Sequence, residues 1–282
     1  MSVDEIDSLT RLAWEFRRMY WMENFPLGTA LAGGRYELRE LLRGGLDRGM
    51  YRGIDRQGGA SVLVTIGTTQ REAHPRLLQR FGYSVPGISP LLHIGPLSDD
   101  GEHTGMVEAE PRGVAASTLP CPVASQSAVR WTLRLAQIVV DAHAAGHVLV
   151  GIRPELVYVD RDAVTGSAPR CEPFLTTAER VDHGVAPCFD QFFLAPEVLS
   201  HPDQPAAPSA DVFSLCAMLG LWITGEHPFA GEGALQVMAI SAGQRRAYTG
   251  PARFRPVLDN GLAPRESRMS MGELIDILVE LG

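Results

Sequence analysis

The chain has 282 residues and a mass of 30.6 kDa, which is enough for one large domain or two modest lobes. Hydrophobic residues make up 45% and charged residues 21%, a globular balance that argues against wholesale disorder. The net charge of −8 disfavours a general nucleic-acid binder, and no apolar run approaches the roughly 20 residues that would cross a bilayer.

The first part of the chain predicts a helix followed by strands. Residues 1–33 form a segment of their own, in which apolar residues recur at three- and four-residue steps between Ser8 and Phe25. This spacing predicts an amphipathic helical extension. Residues 35–65 then alternate in short runs separated by two Gly-Gly pairs. Such a pattern predicts a meander of antiparallel strands.

The pattern changes after about residue 113. Residues 128–143 have the apolar spacing of a helix over four turns, and the run 211–223 is strongly apolar before it meets Thr-Gly. The chain closes on a third amphipathic stretch. A β-rich lobe at 34–113 followed by a helix-rich lobe at 114–282 predicts an α+β arrangement with a hinge between the lobes.

The basic residues and cysteines narrow the possible chemistry. All 25 basic residues are arginine, so no site that depends on a lysine can exist in this chain. The four cysteines are widely spaced, and no Cys-x-x-Cys pair indicates a metal site. The N-terminus is acidic and polar, unlike a signal peptide. These features predict a reduced, cytoplasmic protein without a bound metal or cofactor.

Several stretches in the expected order resemble a bacterial eukaryotic-type Ser/Thr protein kinase domain. One resembles a catalytic loop that follows a His-Ala-Ala-Gly helix end, one contains Ala-Pro-Glu, and one continues from a buried helix into Thr-Gly-x-x-Pro-Phe. The matching stretches are 35–55, 142–160, 192–200 and 211–229. The resemblance covers about residues 34–282. It implies a bilobal protein-kinase-like fold, with a small β-rich N-lobe and a larger helical C-lobe.

The resemblance assigns structural roles to three residues. It implies that Asp211 holds the catalytic loop in place and that Glu197, at the end of the activation segment, pairs with Arg268. A partly buried ion pair of this kind is costly to break from one side. We therefore expect these residues to maintain the scaffold.

The positions that would carry phosphoryl transfer hold other residues. Thr65 stands at the phosphate-binding lysine, Gly151 at the catalytic base and Leu156 at the metal-binding asparagine. Pro173 replaces the metal-binding aspartate of Asp-Phe-Gly. Mg²⁺ prefers carboxylate and other oxygen ligands. Because Leu156 and Pro173 supply no side-chain oxygen, neither expected ligand remains. The sequence therefore predicts a pseudokinase with no catalytic residues, which is not an enzyme.

Five positions are candidate remnants of a ligand site in the interlobe cleft. Gly44 stays glycine in the glycine-rich turn, and Glu72 corresponds to the helix partner of the missing lysine. Glu108 and Glu110 lie in the hinge, whose backbone could meet an adenine edge. Glu172 lies one position before the lost metal ligand. None of these residues is sufficient to indicate a particular cofactor.

The leading hypothesis from the sequence is a catalytically inactive scaffold, adaptor or allosteric regulator in bacterial signalling. Its expected partners are proteins, contacted through the N-terminal helix and the activation segment at about 173–197. A homodimer is a further possibility. No nucleic acid or membrane is expected as a partner. Two alternatives also stay open. One is a sensor of a nucleotide or other small ligand without turnover, and the other is an atypical transferase that uses Glu72 and Glu172.

Overall fold

A computed structural model describes most of the chain. The described residues are 25–44, 48–68, 85–101, 103–159, 174–175, 191–201 and 204–282. The predicted N-terminal helix lies outside these ranges. The described residues divide into two compact units. The first unit comprises the described residues of 25–68 and 90–110, and the second comprises the described residues of 85–89 and 111–282.

The first unit is a six-stranded antiparallel sheet with the strand order β1-β2-β3-β4-β6-β5. Its strands are β1 (Ala30–Leu31), β2 (Tyr36–Gly44), β3 (Arg48–Asp55), β4 (Ser61–Thr68), β5 (Leu91–Pro96) and β6 (His103–Ala109). Aliphatic and aromatic side chains from these strands form a core, which includes Tyr36, Tyr51, Val64 and Val107. Burial of this apolar area is the main force that holds the sheet together.

The second unit contains six α-helices and a small sheet among its described residues. The helices are α1 (Ser125–Ala144), α2 (Pro196–Ser200), α3 (Ser209–Thr224), α4 (Ala234–Ser241), α5 (Arg255–Gly261) and α6 (Met271–Leu281). The small sheet has the order β7-β8-β9. Its strands are β7 (Val114–Ala115), β8 (Val157–Val159) and β9 (Phe174–Leu175).

Helix α3 organises the core of the second unit because it is buried around nearly its whole circumference. A helix that is apolar on all sides is typical of the centre of a helical domain. Trp222 of α3 meets Trp131 of α1 edge to face, with the ring centroids 5.4 Å apart. Gly225 follows α3 with φ 78°, a left-handed conformation that ends the helix.

The strand meander and three of the helices predicted from the sequence are confirmed. The strand meander predicted over 35–65 corresponds to β2, β3 and β4, and the predicted helices correspond to α1, α3 and α6. An antiparallel sheet followed by a helical unit is consistent with the predicted α+β, kinase-like fold. Within the described ranges, every helix is too short or too polar to span a bilayer.

Candidate functional site

The segment that resembles a catalytic loop is held by one carboxylate from α3. Asp211 is fully buried, and its two carboxylate oxygens accept hydrogen bonds from the backbone of the loop. The Leu149 N–H donates to Oδ2 at 2.9 Å and the Val150 N–H donates to Oδ1 at 2.7 Å. His143 at the end of α1 places its Nε2 2.8 Å from Oδ2. Asp211 of α3 therefore holds the loop backbone, and His143 of α1 contacts the same carboxylate.

The loop backbone takes a left-handed conformation at two successive residues. Val150 has φ 53° and Gly151 has φ 73°. A positive φ is uncommon for a residue with a side chain and unusual for a β-branched one such as valine. The Leu149 and Val150 amides donate two charge-assisted hydrogen bonds to Asp211 at the start of this bend and stabilise it. Gly151, the position assigned to a missing catalytic base, is thus also a position that favours glycine.

We predict that Gly151→Ala destabilises the fold by about 1–3 kcal/mol. An added Cβ would lie 2.8 Å from Leu194 Cδ2 and would also sit at a positive φ. Gly146→Ala is the matched control, because Gly146 has φ 81° but open space around the position of its Cβ. Urea denaturation should show a larger loss for Gly151→Ala. Equal losses in the two variants would contradict steric crowding by Leu194.

Two further positions of the loop are buried. Leu156, at the expected asparagine position, is in a short 3-10 helix at Pro154–Leu156 and packs inside the protein. Arg153 is only 4% exposed, and its Nε lies 3.8 Å from Glu155 Oε2. Arg153 is not among the site residues predicted from the sequence. The signal was available, since Arg153 occupies the lysine position of the Lys-Pro-Glu-Asn pattern and keeps a positive charge there.

The end of the segment that resembles an activation segment is attached to the same central helix. The Ser214 hydroxyl of α3 donates a hydrogen bond of 2.7 Å to the carbonyl of Phe193. Phe193, Leu194 and Ala195 are buried, and they lead directly into α2. The segment from 191 onward is therefore fixed by packing and by a side-chain hydrogen bond, whereas most of the predicted contact segment at 173–197 lies outside the described residues.

Glu197 and Arg268 form a bidentate ion pair. Arg268 Nη1 lies 2.6 Å from Glu197 Oε1, and Nη2 lies 2.9 Å from Oε2. The Arg268 side chain is 0% exposed and that of Glu197 is 18% exposed. Arg268 also donates to the carbonyls of Ser209 and Ala263. Burial alone would raise the pKa of Glu197, but hydrogen bonds and the charge of Arg268 outweigh burial and lower it.

His227 lies in the Thr-Gly-x-x-Pro-Phe stretch after α3. Burial penalises its charged form and lowers its pKa to about 4, despite opposing hydrogen bonds with the backbone of Phe229 and Phe192. The Phe229 N–H donates to His227 Nδ1 at 3.2 Å. The imidazole ring also packs edge to face on Phe193, with centroids 4.9 Å apart. His227 is therefore a neutral packing residue at pH 7.

We predict that His227 makes the stability of the protein depend on pH between about 4 and 6.5. In this window the unfolded chain binds a proton that the folded chain excludes, so the free energy of unfolding rises with pH by up to about 1.4 kcal/mol per unit. His227→Phe should remove this part of the slope, whatever its effect on absolute stability. Urea denaturation at several pH values measures the slope. An unchanged slope in the variant would contradict the prediction.

In the first unit, the structure places Thr65 and Gly44 within the sheet. Thr65 lies in the middle of β4, opposite Met50 on one side and Met106 on the other, and it is buried. Gly44 ends β2 and pairs with Gly49. The structure therefore shows Thr65 in a strand, as the predicted correspondence with the strand lysine requires. Its functional assignment stays a prediction.

The predicted hinge residues Glu108 and Glu110 make contacts within the first unit. Glu108 is buried in β6, where it faces Leu63 on one side and Leu91 on the other. Glu110 accepts hydrogen bonds from Arg52 Nε, at 2.7 Å, and from the Ser61 hydroxyl. The Glu110 N–H donates to the Ser61 carbonyl at 3.1 Å. This backbone group therefore already has a partner and is not available to an adenine edge in this structure.

Three predicted site residues cannot be placed. Glu72, Glu172 and Pro173 lie outside the described residues. The remaining assigned positions fall into two sets. Thr65, Gly44, Glu108 and Glu110 belong to the first unit, and Gly151, Leu156, Asp211, Glu197 and Arg268 belong to the second.

No protein-family model matches the chain. The chain is similar to serine/threonine-protein kinase PknE of Mycobacterium bovis, with 24% identity over 260 residues that cover 86% of this chain and 45% of the relative. It is also similar to serine/threonine-protein kinase PknA of Mycobacterium tuberculosis, with 26% identity over 229 residues that cover 75% and 51%. The chain thus spans about half the length of the curated relatives it matches.

These relatives contradict two predictions from the sequence. Both are named as protein kinases, which are enzymes, so the prediction of a non-enzyme and that of an inactive scaffold or non-catalytic sensor are corrected. The prediction of inactivity was based on changed residues at single motif positions. Such changes do not show whether other side chains supply the missing charge, and Arg153 keeps a cation in the loop. The weak homology supports a kinase-like domain that is related to proteins of bacterial signalling.

Proposed function

We propose that this chain works in bacterial signalling as a serine/threonine-protein-kinase-type domain that transfers a phosphoryl group from ATP to a protein hydroxyl. The observation that carries the proposal is the buried Asp211 carboxylate, which fixes the catalytic-loop backbone through the Leu149 and Val150 amides. The names of the relatives give the reaction class. A protein partner and a cytoplasmic location belong to the same proposal.

Phosphoryl transfer depends mainly on positioning and on stabilisation of charge. The loop supplies the positioning through its bend at Val150 and Gly151. Arg153 lies two residues after Gly151, and although its side chain is only 5% exposed it keeps in the loop a guanidinium group of the kind that suits phosphate oxygens. These two features, a fixed backbone and a retained cation, are what the described loop contributes to the reaction.

The proton of the acceptor hydroxyl cannot be taken by residue 151, because glycine has no side chain. A positioned general base contributes about 10²- to 10⁴-fold to a rate. We therefore expect turnover below the range of about 1–100 s⁻¹ typical of kinases, by roughly this factor. Slow transfer is the kinetic consequence of the loop sequence.

The proposal is tested with the purified chain and ATP labelled at the γ-phosphate, with Mg²⁺ or Mn²⁺ present. Incorporation into the chain itself and into a generic protein acceptor is followed over hours, and modified serine and threonine residues are mapped by mass spectrometry. Arg153→Gln should lower the rate at least tenfold. Arg130→Gln, which removes an exposed arginine of α1, is the matched control.

Two outcomes would overturn the proposal. One is no labelling above that of a heat-denatured sample, even with the chain at stoichiometric concentration. The other is labelling that Arg153→Gln and Arg130→Gln leave equally intact, since such labelling would not depend on the loop that carries the proposal. Circular dichroism confirms that both variants are folded before their rates are compared.

A further inference from the structure

A cavity in the second unit offers arginine side chains that the catalytic loop does not use. It has a volume of about 460 Å³ and lies between residues of α3, α5 and the intervening segment 243–249. We call it the α3–α5 cavity. Its lining combines apolar side chains, including Pro228, Leu258 and Leu262, with three arginines. This volume lies within the range of about 300–1,000 Å³ that small-molecule sites have.

One of the three arginines is already neutralised. Arg245 Nη1 lies 2.8 Å from Asp259 Oδ1 and also donates to the Leu258 carbonyl. The backbone of the same segment is fixed, because Arg245 pairs with Phe229 in an isolated bridge and the Arg246 N–H donates to the Pro228 carbonyl at 2.7 Å. The cavity wall is thus pre-organised at its basic segment.

Among the described residues, the hydrogen-bonding contacts of the other two arginine side chains are long, and the Arg255 guanidinium also lies 5.9 Å from the centre of the Tyr248 ring. Arg246 Nη1 lies 3.5 Å from Glu226 Oε2, and Arg255 Nη2 lies 3.5 Å from the Tyr248 carbonyl. Each guanidinium has five N–H donors in a planar fork. Both side chains therefore have donors to offer to a ligand. Together with Arg245, Glu226 and Asp259, they give the cavity side chains a formal charge of +1 in a chain whose net charge is −8.

We propose that the α3–α5 cavity binds a phosphate monoester with a small organic body. A phosphate ester carries about −1.5 to −2 charges and three acceptor oxygens, so it can accept from two guanidinium groups at once. The apolar lining from Leu258, Leu262 and Pro228 fits the organic part, which inorganic phosphate lacks. The site goes beyond the proposed phosphoryl transfer and does not depend on it.

The ester has two possible sources, a phosphorylated side chain of a protein or a free metabolite. Isothermal titration of the full chain with a phosphoserine peptide, with a sugar phosphate and with inorganic phosphate distinguishes them. We expect one of the two esters to bind at least tenfold more tightly than inorganic phosphate. The unphosphorylated peptide and the free sugar should not bind.

Variants then place the binding in the cavity. The double substitution Arg246→Ala/Arg255→Ala should weaken ester binding at least tenfold, while Arg130→Ala should leave it unchanged. Arg246→Lys/Arg255→Lys keeps the charge but loses the planar forks, so we expect partial recovery. Equal affinity for inorganic phosphate and both esters, or ester affinity unchanged in the double alanine variant, would overturn the proposal. We expect the double alanine variant to be labelled from ATP at the same rate as the wild type. The binding test is therefore separate from the test of the kinase reaction.

Discussion

Asp211→Asn is expected to lower the free energy of unfolding by about 3–5 kcal/mol. The Asp211 carboxylate is fully buried and accepts hydrogen bonds from the Leu149 and Val150 amides. Its Oδ2 also lies 2.8 Å from His143 Nε2. An asparagine keeps one acceptor oxygen but turns its NH₂ group toward a second donor. At least one buried donor then loses its partner, and the remaining bond loses its charge assistance.

Urea denaturation measures this loss, and Asp259→Asn is the matched control. Asp259 also pairs with an arginine, at 2.8 Å, but its side chain is 53% exposed. Surface pairs of this kind contribute about 0–1 kcal/mol. A similar loss of unfolding free energy in both variants would contradict the prediction that burial and the loop amides make Asp211 important for stability.

The same variant has a local signature. Hydrogen exchange at the Leu149 and Val150 amides should accelerate more than exchange elsewhere in the second unit, because those two N–H groups donate to the carboxylate. If stability falls but these amides keep their relative protection, the carboxylate supports the core without holding the loop.

The sequence predicted the fold best where periodicity was strong. The pattern of apolar residues located α1, α3 and α6. A helix with one buried face repeats apolar residues at three- and four-residue steps, and a helix that is buried on all sides is apolar throughout. The meander of β2, β3 and β4 followed from alternation and from Gly-Gly turns. These patterns lie within short stretches of sequence, so they can be recognised without knowledge of the tertiary contacts.

Tertiary features were less accessible to the sequence. Nothing in the sequence shows that Val150 takes a positive φ, because that conformation is imposed by Asp211, which lies 61 residues further along the chain. The α3–α5 cavity is likewise invisible in the sequence, since its walls come from separate stretches between Gly220 and Leu262. The prediction of inactivity failed for a related reason: residue identities at Thr65 and Gly151 describe single positions, not the charge that the whole site supplies.

The ion pair between Glu197 and Arg268 gives the last large effect that we predict. Arg268→Met should lower the free energy of unfolding by about 3–5 kcal/mol at pH 7. The substitution leaves the Glu197 carboxylate without its cation, removes donors from the carbonyls of Ser209 and Ala263, and removes the guanidinium 5.2 Å from the centre of the Phe213 ring. Glu197→Gln should cost less, because Glu197 is partly exposed and an amide oxygen still accepts from Arg268.

The pH dependence distinguishes the ion pair from simple packing. The pKa of Glu197 is lowered in the folded protein, so its contribution to stability is present above the pKa of the unfolded chain, about 4.3, and is lost as pH falls through the lower folded value. In Arg268→Met the carboxylate has lost its cation, and acid relieves the unpaired charge. The gap in stability between wild type and Arg268→Met should therefore narrow below about pH 4, as measured by urea denaturation across pH. A gap that stays constant from pH 7 to pH 3 would show that Arg268 acts through packing and its carbonyl contacts alone.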